Sequence, residues 1–217
     1  MPAFGRIPQF DQRSRAFPAR TLELMARPPR RLHRLWGSRL DQGDVGACTG
    51  FAFAHARNST ALRRAGEEIL RGDDALQLYS AATRLDPFPG EYPPEDTGSS
   101  GLAVCKAGVE ASLISRYEWA FGLDHVLAAL VFRPVIVGTW WYESMMTPDS
   151  SGYVRVTGRR VGGHEWCLIG YEDVHKVVHA RNSWGPGWGQ RGNFVIGYED
   201  LSRLLNEDGD AAVPVTR

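Results

Sequence analysis

The stretch that decides the reading is Gln42-Gly43-Asp44-Val45-Gly46-Ala47-Cys48, answered far downstream by Gly162-Gly163-His164 and then by Arg181-Asn182-Ser183-Trp184-Gly185. Acyl transfer through a thiol needs a base beside the sulfur, a group that orients the base, and donors for the oxyanion. Cys48, His164, Asn182 and Gln42 can supply those four roles. The residues from Thr49 to Arg57 read as a helix. Cys48 therefore falls at a helix start, where unpaired amides and the macrodipole favour thiolate, and a neighbouring imidazolium would lower its pKa further. Gly43 and Gly46 let the preceding segment fold back, so that the Gln42 carboxamide meets the Cys48 N–H in one oxyanion hole.

Three local patterns stand in order: Gln-Gly-x-x-Gly-x-Cys, Gly-His-x-x-x-x-x-Gly-Tyr and Asn-Ser-Trp-Gly-x-x-Trp-Gly. On these, the chain resembles the papain family of cysteine peptidases over most of its length. Bacteriocin-processing peptidases share the Gln-x5-Cys spacing but carry an aspartate as third member, and NlpC-type peptidases present Asp-Cys-Ser-Gly-Leu. Neither fits here. The resemblance implies an α+β fold of two lobes, one helical and one built on an antiparallel, barrel-like sheet, with the site in the cleft between them. It assigns the nucleophile to Cys48, the base to His164, its orienting partner to Asn182 and the oxyanion glutamine to Gln42. It puts Trp184 over the Asn–His hydrogen bond with Trp188 behind, and substrate contact on Gly98, Ser99, Gly138, Gly162, Gly163, Glu165 and Trp184.

Departures from the family pattern also carry expectations. Val45 stands where the family usually has a disulfide-forming cysteine, and Thr49 where a tryptophan usually follows the nucleophile. Only three cysteines are present, and with Cys48 committed to chemistry Cys105 and Cys167 read as ordinary buried residues. A reduced, cytoplasmic enzyme is expected. No leader pattern begins the chain and no apolar run reaches a membrane-spanning length, the longest being interrupted at Arg133-Pro134. Pro2, Pro8, Pro18, Pro28 and Pro29 forbid a long helix before Gln42, so no helical propeptide is expected. Restraint then falls to substrate specificity, to a protein inhibitor or regulator, or to compartment. Short bacterial and phage members of the family share this lack of a propeptide, so virion association stays open.

With 217 residues, 43% hydrophobic content and no repeat, the sequence reads as one catalytic domain. Residues 1–40 form an N-terminal strap, about 41–118 a helical lobe and about 119–217 a β lobe. Net charge is zero, yet the first forty residues hold nine arginines against Asp11 and Glu23. These arginines are scattered among prolines and apolar residues, so a strap across an acidic body fits better than a nucleic-acid arm. Helices are expected from Cys48, over Ala75–Arg84, after a Ser99-Ser100 cap and after Asp124. Strands are expected over 134–139, 153–156, 165–171, 177–181 and 193–196. His164 and Cys167 share a zinc-like spacing, but positions three apart on a strand face opposite sides. No metal and no cofactor are expected, and no nucleic acid or membrane partner.

The expected activity is endopeptidase hydrolysis of a peptide or protein through a thioacyl-enzyme on Cys48. Acyl transfer or transpeptidation from the same intermediate, and a non-catalytic papain-fold binding or virion protein, stay open beside it. By motif alignment, Gly138, Gly162 and Glu165 border the pocket for the second substrate residue before the scissile bond. Two glycines would enlarge it, and Glu165 could pair there with an arginine or lysine. Equally, Glu165 could face solvent or pair with an arginine of this chain, with Trp140 or Trp141 filling the space.

Overall fold

The computed structural model describes residues 3–19 and 27–216, so Pro2, Arg20 and Glu23 of the strap reading lie outside the described residues. In chain order the elements are β1 (Arg30–Leu32), α1 (Cys48–Arg57), α2 (Gly72–Leu85), α3 (Gly101–Glu110), β2 (Arg116–Trp119), α4 (Leu123–Leu130) and β3 (Val135–Tyr142). There follow β4 (Tyr153–Val154), β5 (Arg160–Glu172), β6 (Val177–Arg181), β7 (Asn193–Gly197), α5 (Tyr198–Asn206) and β8 (Asp210–Val215). The strands join one sheet in the order β2-β8-β3-β5-β6-β7-β4, with β1 on β5. All pairs are antiparallel except β4 with β7.

Each element has a local cause. Ser100 caps α3, its Oγ accepting from the Ala103 amide at 3.1 Å, which satisfies one of the donors a helix start leaves free. The period-2 alternation of β3 and β5 sorts side chains into two cores. Val135, Val137, Trp166 and Leu168 join one that α4 and α5 cover, where Trp141, Phe194 and Leu201 are buried. Ile136, Cys167 and Ile169 face the other, against Phe53 of α1, Leu78 of α2 and Val104 of α3. All ten residues of α1 are buried, so this helix runs through the helical layer and lies directly on β5.

Among the arginines of the first forty residues, Arg27 pairs with Asp173 at 2.7 Å and Arg30 with Glu172 at 2.9 Å, while Arg13 pairs with Asp11 close by in sequence. Arg6 goes deeper, to Asp210 at 2.5 Å. Among the described residues, no helix is long and apolar enough to cross a membrane, and no group of three or more His, Cys, Asp or Glu side chains converges as a metal site would. The three cysteines are unbridged and buried.

Candidate active site

The β5 strand brings the motifs together. It pairs with β3 at Thr139–His164 and with β6 at Cys167–Arg181, so Asn182 leaves the end of β6 beside His164. The His164 Nε2 and Asn182 Oδ1 are 2.7 Å apart and buried. The Asn182 oxygen also accepts from the Ser183 amide at 2.8 Å, which fixes the carboxamide so that Nε2 of the ring must carry the proton. That leaves Nδ1 as the basic nitrogen, and it has no protein partner. Trp184 lies over the imidazole with ring centroids 4.7 Å apart, Trp141 meets its edge at 5.0 Å, and Trp188 stands 5.1 Å behind Trp184.

Cys48 is the first residue of α1, and the backbone of Glu165, Gly5 and Thr49 lies close enough to its sulfur to favour thiolate. Glu165 is the strand position next to His164. Gln42 is held from both ends. Its amide donates to the Ser183 carbonyl at 2.9 Å, its Oε1 accepts from Ser183 Oγ at 2.5 Å, and its Nε2 donates to the Val45 carbonyl at 2.7 Å. A second Nε2–H reaches the carbonyl of Ala3 at 3.3 Å.

That last contact belongs to a feature the sequence reading missed. Residues 3–7 run through the cleft. Phe4 meets the rings of His164 and Trp184, both at 5.9 Å. The Arg6 amide donates to Gly163 O at 3.1 Å, Ile7 to Ser99 O at 2.7 Å, and Ser99 to Gly5 O at 2.7 Å. The backbones approach so closely that a Cβ on Gly98, which has φ +76°, would strike Gly5, and a Cβ on Gly163 would strike the Arg6 carbonyl. Restraint was expected from specificity, a partner or compartment; the structure adds a segment of the chain itself.

This cover changes the protonation expected at the helix start. Burial pushes the Cys48 thiol up to about 12, outweighing the nearby backbone that favours thiolate, and lowers the His164 imidazole to about 4 against the opposing pull of Asn182. In the covered cleft the pair is therefore thiol and imidazole rather than thiolate and imidazolium. Desolvation disfavours both charged forms, and it outweighs the terminal amides of one helix.

The glycine-lined pocket also departs from expectation. Gly138 and Glu165 do meet, but Gly162 lies under Phe4 instead, and neither tryptophan fills the space. Trp141 is buried in the core, while Trp140 donates from Nε1 to Asp208 at 3.3 Å. The pocket is bounded by Gly101, Gly138, Glu165 and Asp210, and Arg6 occupies it. Asp210, on β8, carried no sequence signal, since its strand was not foreseen. Also unforeseen was Asp96, which accepts from the Gly46 amide at 2.8 Å and from Tyr79 Oη at 2.6 Å and so braces the turn before Cys48.

No family model matches the chain. An uncharacterized peptidase C1-like protein of Acanthamoeba polyphaga mimivirus is 25% identical over 201 residues, spanning 75% of this chain and 65% of that protein. A cathepsin B-like protein of Giardia intestinalis is 29% identical over 201 residues, spanning 78% and 66%. The chain thus spans just under two thirds of the length of these relatives. Xylellain, a cysteine protease from Xylella fastidiosa, superimposes with a TM-score of 0.81 over 100% of this chain and 97% of its own, at 21% identity. The fold is papain-like, and the homologues are papain-family cysteine peptidases. A procathepsin B from Trypanosoma congolense shares the papain-like fold at a TM-score of 0.67, with 15% identity over 99% and 87% of the two chains. Within this papain-like frame Cys48 opens α1 and His164 lies on β5, the strand against which α1 packs.

Proposed function

We propose that this chain is a papain-like cysteine endopeptidase acting on peptides or proteins. The observation that carries the reading is the buried His164–Asn182 hydrogen bond, which leaves the basic Nδ1 of His164 unpartnered on the strand against which α1, opened by Cys48, packs. In this reading His164 Nδ1 takes the proton of Cys48 as the sulfur attacks the substrate carbonyl. The oxyanion is held by the Gln42 Nε2–H that now meets Ala3 and by the Cys48 amide, because no side chain caps α1. His164 then passes its proton to the leaving amine. A water, deprotonated by the same nitrogen, attacks the thioester and returns Cys48 to the thiol.

Ser99 and Gly163 support the backbone role assigned to them, since they already hydrogen-bond an extended segment of peptide, and Gly98 lies against its Gly5. The free buried thiols and Val45 favour a reducing compartment such as the cytoplasm. The direct test is covalent labelling of Cys48 by an epoxysuccinyl thiol inhibitor, read by mass spectrometry, together with peptide hydrolysis. Cys48→Ala should abolish both and leave the fold intact. Hydrolysis that survives in Cys48→Ala would end the reading.

A further inference from the structure

Tyr79 and Asp96 stand behind the candidate site rather than in it, yet together they touch two of its walls. Tyr79 is fully buried on α2. Its Oη donates to Asp96 Oδ1 at 2.6 Å and accepts from the Gly98 amide at 2.9 Å. The other oxygen of Asp96, Oδ2, accepts from the Gly46 amide at 2.8 Å. Neither amide donates to a backbone carbonyl. One phenol and one carboxylate thus satisfy both, and join the turn before Cys48 to the segment that leads into Ser99.

The end at Gly46 reaches the chemistry through a single peptide plane. The N–H that Asp96 accepts and the Val45 carbonyl belong to the same planar unit, and that carbonyl receives Gln42 Nε2 at 2.7 Å. Asp96 therefore sets the orientation of the group that holds the Gln42 carboxamide, with a charge-assisted bond that is stronger than a neutral one. At the other end, Gly98 precedes Ser99, whose N–H and C=O pair with the main chain of residues 5–7. The base of the connection is rigid, because α2 lies so close to α1 that a Cβ on Gly50 would strike the Ala75 carbonyl and the Tyr79 nitrogen. Burial, with the Asp96 carboxylate adding to it, raises the Tyr79 phenol and keeps it a donor. No disulfide ties the turn, since residue 45 is valine and all three thiols are free. The covering segment passes it closely: a Cβ on Gly5 would run into the Gly46 carbonyl.

Building on the peptidase reading, we propose that Asp96 and Tyr79 are positioning residues, a hydrogen-bonded strut that holds the Gln42 oxyanion donor at a fixed spacing from the Gly98–Ser99 segment that pairs with substrate main chain. The scissile carbonyl oxygen and the peptide backbone leading to it are then placed by one device, which works without a covalent bridge.

The test uses a Phe4→Ala/Arg6→Ala protein, in which the covering segment loses its ring contacts and its ion pair, and the fluorogenic dipeptide N-acetyl-leucyl-arginine coumarinylamide. In this open protein Asp96→Ala should lower kcat about tenfold to a hundredfold, the scale of a displaced reacting group. KM should change little, because the placement is felt in the transition state. Tyr79→Phe should lower kcat and also raise KM, since it releases Gly98 as well. Combined, the two substitutions should lower kcat no further than the worse of them alone, as for groups in one network. Additive losses, or an unchanged kcat in Asp96→Ala, overturn the strut while leaving the peptidase reading intact. Amide hydrogen exchange of the open protein reads the strut without substrate. Asp96→Ala should release the Gly98 amide together with that of Gly46, although the Gly98 amide bonds only to Tyr79; protection lost at Gly46 alone overturns the coupling. If the open protein cleaves neither this peptide nor casein, the peptidase reading fails instead, and hydrogen exchange alone decides the strut.

Discussion

Asn182 and His55 are both buried beside the candidate site. Asn182 orients His164 through a 2.7 Å bond without itself moving a proton. Asn182→Ala should therefore lower kcat/KM by about tenfold to a thousandfold rather than abolish it, within the range of general acid–base contributions; steady-state kinetics on a cleaved peptide would show this, and full activity would deny the orienting role. His55, two turns along α1, lies too far from the sulfur to serve as base, yet its buried ring lies near the Asn182 backbone. Burial, with Arg181 adding to it, brings its pKa down to about 3. The folded value lies below the unfolded one, so the unfolded chain binds the proton first, and stability present above about pH 6.5 drains away as pH falls toward 3. Between pH 7 and pH 5 this one group accounts for about 1–2 kcal/mol. His55→Gln should shrink the pH 7-to-5 loss of stability by that amount in urea unfolding, and an unaltered loss would show that His55 is not held neutral.

At the scale of elements, α1 and α3 present their first turns to the cleft in different ways. α1 begins after Ala47 with no side-chain cap, which leaves its amides to the site, whereas α3 is capped by Ser100, whose hydroxyl also donates to Gln9 of the strap at 2.5 Å. Ser100→Ala should cost about 1 kcal/mol, the usual worth of such a cap, seen as a lower urea midpoint at constant slope. The helices at 48, 72 and 101 and the strands β3, β5, β6 and β7 were legible because caps, glycines and period-2 apolar runs are local signals. The β2, β8 and α5 elements were not foreseen. Strand β8 reads Asp-Ala-Ala-Val-Pro-Val, and its small residues and proline give no strand pattern until β3 and β2 flank it.

Across the whole molecule, the covered cleft predicts how the thiol responds to pH. Glu165 and Tyr79 are titratable groups near enough to Cys48 to interact with it electrostatically. With the segment in place, alkylation by iodoacetamide should be slow and climb only at alkaline pH, because the thiol is pushed up to about 12. In the Gly5→Ala variant water returns, the charged pair is no longer penalised, and the rate should reach a plateau near neutrality. Identical profiles for the two proteins would mean that the segment does not cover the sulfur. Reductant should leave thermal stability unchanged, since all three thiols are free; a lower Tm in reductant would expose a bridge.

The sequence by itself determined the four chemical groups and the two layers that carry them. Gln42 and Cys48 lie within one turn and a helix start, His164 within a glycine-flanked strand and Asn182 before a tryptophan, so each is specified by its own neighbours. Only the tertiary structure decided what fills the cleft and what occupies the pocket. Arg6, Glu165 and Asp210 meet across nearly the whole length of the chain. Their pairing depends on where the sheet places β5 beside β3 and β8, and on a glycine at position 5 thin enough to pass Gly46. Local pattern carries no record of such a contact, because charge complementarity between distant residues leaves no periodicity behind. The protonation of Cys48 follows the same logic: a helix start favours thiolate locally, but burial under a distant segment reverses the balance.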